Sequence, residues 1–366
     1  MNNIILLTVL LPIFISTIFI PYWTRRTESF GITIPEEIYY TDRLKKMRKQ
    51  FVIFSAVASV ILTLLFFIVI SINDINDEIF AIYFSSLIGL YLIAHFSIYY
   101  YFHRKMKKLK QQEKWGSDKP QQVFIDTEFR RQRLNHSNLW FVIPFLISFA
   151  TIAVSFKFYD NIPNQFPVQY NFSGEVTNWV TKSPRTVLAL PIIQLYLILL
   201  FMLLNTMIAK AKQQIHAERP VESMQQNIIF RRRWSIFLIG TGIGTSLLLT
   251  LTQFFIVFSI NPTVISYISI IFTFILVVWA IILSITTGQG GSRVKIAKGN
   301  SGEIINRDDD KHWKLGVIYF NPNDPAIFLE KRFGVGWTIN LARPLAWIIF
   351  IVLIGTLIAI PYLLGV

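Results

Sequence analysis

The sequence predicts an all-α polytopic membrane protein of about eight transmembrane helices, with a short extracytoplasmic loop and a small cytoplasmic β-meander. Three observations carry this. Hydrophobic residues make up 53% of the 366-residue chain and charged residues only 15%, against roughly 25% charged in soluble domains. Apolar runs recur along the chain, each long enough to cross a hydrocarbon core ~30 Å thick. The Lys and Arg residues, finally, fall into alternate connections between those runs.

The expected spans are residues 4–23, 51–72, 79–102, 139–158, 185–208, 234–259, 264–286 and 344–364. Connections 24–50, 103–138, 209–233 and 287–343 carry 7, 10, 6 and 9 basic residues, 32 of the 35. Alternating spans put all four on one side. The other three, Lys157, Lys182 and Arg185, lie in or beside the sizeable loop on the opposite side. Basic loops stay in the cytoplasm, so both termini are expected outside. The chain then divides into an N-terminal three-span region (1–138), a helical core holding spans four to seven and the outside loop 159–184 (139–286), a small cytoplasmic domain (287–343) and a last transmembrane helix (344–366). The net charge of +14 reads as topology and attraction to a bilayer with anionic head groups. A nucleic-acid partner needs one basic stripe on a folded surface, and this placement does not provide it.

The first span is read as retained. Met1-Asn2-Asn3 bears no positive side chain, the apolar run exceeds a typical signal core, and Arg25-Arg26 follow it. Pro35 suits a first helical position, and Glu36 and Glu37 suit the positive end of the helix dipole, so a cytoplasmic helix should run into span two. Span three should extend through His103–Lys114 until Trp115–Pro120 breaks it.

In the outside loop, Pro163, Pro167, an alternating Phe166/Val168/Tyr170/Phe172 stretch and an Asn/Ser/Gly turn predict a short hairpin. Two readings of its aromatics stay open. They form an interfacial belt, or they form a recognition surface for a peptide or lipid head group. The candidate ligand-binding residues are Pro163, Phe166, Pro167, Gln169, Tyr170, Asn171, Phe172 and Trp179.

Segment 287–343 opens with Gly288-Gln289-Gly290-Gly291. Turn chemistry at Asn321, Pro322, Asp324 and Pro325 joins two β-like runs, and a third follows Gly334 and Gly336. No Gly-Lys-Ser/Thr follows the glycines, so they are not read as a phosphate loop. The expected structural motif comprises Gly288, Gly290, Gly291, Trp313, Gly316, Asn321, Pro322, Asp324, Pro325, Lys331, Arg332, Gly336, Trp337 and Asn340, capping the membrane face.

No Asp, Glu, Lys or Arg lies in the middle of any span, whereas ion-coupled pumps usually keep such groups on the path. His95, Gln194, Asn205 and Gln253 read as helix-to-helix hydrogen-bond partners, and Gly240-Thr241-Gly242-Ile243-Gly244 as close helix packing. The five histidines have no paired ligand spacing, there is no cysteine, and no GxSxG elbow occurs. No catalytic residue, metal or cofactor is expected.

With these segments in place, the chain resembles, over most of its length, a family of uncharacterised bacterial multi-pass membrane proteins related to the SdpI-type immunity proteins. The motifs carrying it are Phe30-Gly31-Ile32-Thr33-Ile34-Pro35-Glu36-Glu37, Tyr159–Pro163 followed by Phe166–Asn171 and Gly174, and Gly288–Gly291 with Trp313–Asn340. Gln169 stands where the family often has histidine, which removes a metal- or pH-dependent role there. The resemblance implies a bacterial plasma membrane, immunity to a secreted peptide toxin and signalling by sequestering a repressor. The reading is therefore a non-enzymatic sensing or immunity-like protein that answers membrane-active peptide or envelope stress through its outside loop. An extracellular peptide and a cytoplasmic protein are its candidate partners. A transporter or accessory subunit of a transport complex is the alternative, favoured by eight spans and by Pro12, Pro144 and Pro191.

Overall fold

The computed structural model describes residues 3–72, 77–115, 121–122, 132–170, 176–212, 214–216, 219–258, 260, 262–296, 305–306 and 308–365. Its long helices are α1 (Asn3–Ile18), α2 (Asp42–Ile72), α3 (Asp77–Glu113), α4 (Val142–Lys157), α5 (Pro184–Lys210), α6 (Pro220–Val257), α7 (Pro262–Thr287) and α8 (Pro344–Leu364). Among the described residues seven helices, corresponding to α2 to α8, are long and apolar enough to cross a membrane. Their flanks expose Leu64, Ile93, Leu146, Ile271 and Ile351, a surface far too apolar for water and suited to lipid. The chain is a multi-pass membrane protein.

Three expected boundaries move. Span 4–23 is interrupted: α1 has 16 residues, about 24 Å of helix, and a separate turn at Ile20–Trp23 follows Phe19. That turn carries Pro21 at its second position and buries Pro21 and Trp23. The helix expected from Pro35 is a four-residue turn, Glu36–Tyr39, and α2 starts afresh at Asp42. Span 234–259 is the second half of α6, which runs for 38 residues from Pro220. By contrast, α3 continues to Glu113 as its sequence implied.

Helices α1, α2 and α3 pack together around Leu10, Phe66 and Leu87, and α1 also touches α7. Helices α4, α5 and α6 form the second centre, flanked by α7 on α6 and α8 on α5. At one end of the helices lies an antiparallel hairpin, β3 (Gln165–Tyr170) with β4 (Val176–Thr181), pairing Phe166 with Val180 and Pro167 with Trp179. Its register shifts after Pro167, which has no N–H for the ladder.

At the other end the described parts of the basic connections fold into one cap. Strands β1 (Glu28–Ser29) and β2 (Ile32–Thr33) meet through Phe30-Gly31, at φ 48° and 77°. A tight hairpin turn with both central residues at positive φ is the type whose twist matches its strands. It drives Phe30 between Phe51, Phe102 and Phe333. His103 Nδ1 donates to the Phe30 carbonyl at 2.8 Å. Segment 313–339 holds two hairpins where one meander was expected. These are β5 (Trp313–Lys314) with β6 (Ile318–Tyr319), and β7 (Phe328–Glu330) with β8 (Trp337–Ile339), linked by a Tyr319–Asn340 bridge. The loop between them contains Pro322 and Pro325, which cannot donate to a ladder; it wraps around Asn340 instead, whose Nδ2 donates to the carbonyls of Asn321, Asp324 and Ala326.

A Cβ on Gly31 would lie 2.5 Å from the Gly316 carbonyl oxygen and 2.6 Å from the Tyr99 hydroxyl. Gly31→Ala should therefore lower thermal stability in detergent, by roughly 1–2 kcal/mol from left-handed backbone strain plus the overlap. Gly355→Ala, with nothing within 4 Å, should leave the melting temperature unchanged or slightly raised. Equal melting curves for the two variants would show that the Phe30-Gly31 turn does not hold the cap.

Candidate functional site in the charged cap

A cavity of about 290 Å3 opens in the cap, walled by the stretches 25–36, 212–226, 289–292 and 308–332. That is near the lower bound for small-molecule sites, roughly 300 Å3.

Its foundation is a buried cation and carboxylate. Arg231 on α6 is fully buried. Its Nε donates to Asn227 Oδ1 one turn earlier at 2.6 Å, and its guanidinium donates to the carbonyls of Ile208 (2.7 Å), Ala211 (3.1 Å) and Lys212 (3.1 Å). These carbonyls belong to the end of α5, where the last helical C=O groups have no partner of their own and the dipole favours a cation. Arg231 Nη2 also reaches Glu330 Oε1 at 3.3 Å. Glu330, on β7 and fully buried, accepts from Asn227 at 2.7 Å and from Arg25. Three distant segments converge on one carboxylate.

The glycine run lets backbones approach. Gln289 is fully buried and pairs with Gly336 in both directions, its Nε2 donating to the carbonyl at 2.9 Å and its Oε1 accepting the N–H at 2.7 Å. A Cβ on Gly291 would overlap the Gln226 carbonyl, and one on Gly290 would strike Arg25.

A second network crosses the cavity wall. Arg332 pairs with Asp309 and Asp310, and Lys110 on α3 reaches Asp308 at 2.6 Å and Asp310 at 2.7 Å. Asp310 also accepts from the backbone and hydroxyl of Thr33. Arg219 engages Glu36 and Glu222. Burial lowers His216 to about 4, against the pull of Glu36, so its ring is neutral near pH 7. Glu28 lines the cavity at 8% exposure, and its Oε2 has no hydrogen-bond partner among the described residues. Burial raises its pKa, opposed by Arg25 and Arg332.

Other expected motif residues serve this cap. Trp313 is buried beneath the Arg332 guanidinium, 5.1 Å away, and Trp337 packs at a tilt against Phe230, ring centroids 5.0 Å apart. Asp324 accepts from Lys212 at 2.5 Å and Tyr319 at 2.7 Å. Lys331 is exposed, and its backbone N–H donates to Gly336. Gly316 lies against Tyr99 and His103.

At the hairpin end the candidate residues separate. Phe166 is buried with Ile162, Val180, Val187 and Val257, so it holds the hairpin onto α5 and α6. Trp179 is 55% exposed, Pro163 and Gln169 are exposed, and Pro167 is half-buried. Tyr170 is the last β3 residue, opposite Val176; Asn171 and Phe172 lie outside the described residues. Lys182 donates to the Ile162 carbonyl at 2.9 Å and sits over the Tyr159 ring.

Polar side chains bond the helices to one another at two levels between the ends. Gln253 donates to Ser155 and to the Val187 carbonyl, and Thr151 meets Thr250 at 2.9 Å. Gln194 donates to Ser246 and Thr250. Asn205 then donates to Asn138 and the His136 carbonyl and accepts from Ser235, one turn from Arg231. Gln194, Asn205 and Gln253 thus make the helix-to-helix bonds their sequence implied; His95 packs edge-on against Phe51.

Residues 322–347, from the Asn340-bound loop into α8, match a family model described as a family of unknown function, DUF5808. Residues 146–195, covering the end of α4, the hairpin and the start of α5, match a domain of unknown function, DUF1648. No curated protein and no solved structure matches the chain. The two matches accord with an uncharacterised membrane family. In the sequence Arg25 and Arg231 served only as topological charge, and Glu28 and Glu330 were given no role.

Glu330→Leu should destabilise the protein by about 3–5 kcal/mol, because it leaves Arg231 buried without its carboxylate. The double replacement Arg231→Met with Glu330→Leu should recover a large part of that loss. Additive losses in thermal unfolding would show that the two groups are not coupled.

Proposed function

We propose that this protein is a non-enzymatic, receptor-like protein of a bacterial plasma membrane. In this reading α1 is an eighth crossing, both termini and the β3–β4 hairpin lie outside, and the charged cap faces the cytoplasm. The hairpin senses a membrane-active peptide or envelope stress, and the cap relays it to a cytoplasmic protein, as the resemblance to SdpI-type immunity proteins implies.

The observation that carries this reading is the hydrogen-bonded seam along α4, α5 and α6. It begins beneath the hairpin at Gln253 and the Val187 carbonyl and ends at Asn205 and Ser235, beside Arg231. Amides and hydroxyls in lipid fix helix register, at roughly 0.6 kcal/mol per bond on average. A shift at the hairpin therefore has a physical route to the end of α5 and on to Glu330. The link to SdpI-type proteins rests on the sequence motifs, with the hairpin as their main bearer.

Orientation is read by labelling. Thr177→Cys in the hairpin should react with an impermeant thiol reagent on whole cells, and Lys314→Cys in the cap only after permeabilisation; both are exposed positions. The reverse pattern inverts the assignment.

Function is read by phenotype. A strain lacking the protein should become more sensitive to at least one of a panel of membrane-active peptides. Wild type should restore resistance; Trp179→Ala and Gln253→Leu, at normal membrane abundance, should not. An exposed aromatic anchor is worth about 2 kcal/mol or more of binding, roughly 30-fold in affinity. Full rescue by Trp179→Ala returns that residue to the interfacial belt, and a null strain no more sensitive than wild type removes the sensing role.

A further inference from the structure

Among the described residues, one buried carboxylate of the cap, Glu28, makes no salt bridge. Arg25, Arg231, Arg332 and Lys110 are linked to Glu330, Asp308, Asp309 and Asp310, four charges against four. Arg26 and Arg219 are similarly matched by Glu36 and Glu222. Glu28 is more than nine-tenths buried, lines the cavity, and leaves Oε2 without a hydrogen bond among the described residues. A buried carboxylate oxygen that accepts no hydrogen bond is costly, and a donor group on a bound ligand would satisfy it.

The rim has the opposite character. Arg26 is 41% exposed and only 3.8 Å from Glu36, a carboxylate that Arg219 approaches more closely. Lys311, also lining the cavity, is exposed. Two cationic side chains with donors to spare suit an oxyanion, and a guanidinium in particular suits phosphate.

We propose that the cap cavity binds a small zwitterion bearing an ammonium and a phosphate, with the Glu28 carboxylate receiving the ammonium and Arg26 and Lys311 receiving the phosphate. The cavity volume of about 290 Å3 accommodates a molecule the size of phosphoethanolamine. The same chemistry is offered by a free metabolite and by an ethanolamine lipid head group. This goes beyond the hairpin-sensing reading and does not depend on it.

Titration calorimetry on the full-length protein in detergent tests this with phosphoethanolamine, ethanolamine and inorganic phosphate as probes. Phosphoethanolamine should bind at least about tenfold more tightly than either fragment, because both charge-assisted contacts operate together. Glu28→Gln, which removes no hydrogen bond made in the fold, should weaken it by about tenfold or more. Arg26→Ala should weaken phosphoethanolamine while leaving ethanolamine unchanged. In nanodiscs, phosphoethanolamine that binds in phosphatidylcholine discs but is excluded from phosphatidylethanolamine discs identifies the lipid head group as the source. Equal binding in both identifies a soluble ligand. Absence of binding in detergent and in both kinds of disc overturns the proposal, as does undiminished binding by Glu28→Gln at an unchanged melting temperature.

Discussion

The buried Glu330 carboxylate is the constraint on which the cap depends. A charge taken out of water must be matched by opposite charge and hydrogen bonds, and Glu330 is matched by Arg25 from beyond α1 and by Arg231 and Asn227 from α6. Arg231 in turn satisfies three carbonyls at the end of α5. One carboxylate thus ties together the first connection, the third connection and the C-terminal hairpins. The glycine run works toward the same closure, since only residues without a Cβ let Arg25 and the Gln226 carbonyl come as near as they do.

Between cap and hairpin the bilayer imposes a different rule. Apolar side chains give helices no preference for one another over lipid, so association depends on close packing and on polar groups. The buried hydroxyls and amides of α4, α5 and α6 supply that preference at intervals through the membrane, and Gly242 lets α6 approach Phe141 and Phe201. Helices α2 and α3 instead meet through an aromatic cluster around Phe66, Phe80 and Phe84. The two helical groups therefore cohere by different means, and the charged cap spans both through Lys110 on α3 and Arg231 on α6.

Seven of the eight expected spans were legible because they follow from composition over long windows. The hairpin was legible as well, since its prolines and alternation are local. Which way Phe166 points was not, because alternation defines two faces without saying which meets the core. The start of α6 was lost for an instructive reason: Arg231, Arg232 and Arg233 look alike in sequence, yet only Arg231 lies over the end of α5, while Arg232 donates to the Arg133 carbonyl at an exposed position. The cavity was invisible for a stronger reason. Its walls come from three connections separated by whole helices, and a buried carboxylate oxygen without a hydrogen bond, such as that of Glu28, is recognisable only once those connections are folded together.

The separation of Arg25 from Glu330 has a consequence for biogenesis. The two partners are 305 positions apart, and at roughly 5–20 residues per second a ribosome takes about 15–60 s to make the second after the first. Throughout that interval the early β1–β2 hairpin lacks the residue that closes over it, and a chain ended before β7 never completes the closure. The cap is consequently assembled last, and its formation distinguishes a finished chain from a prematurely terminated one.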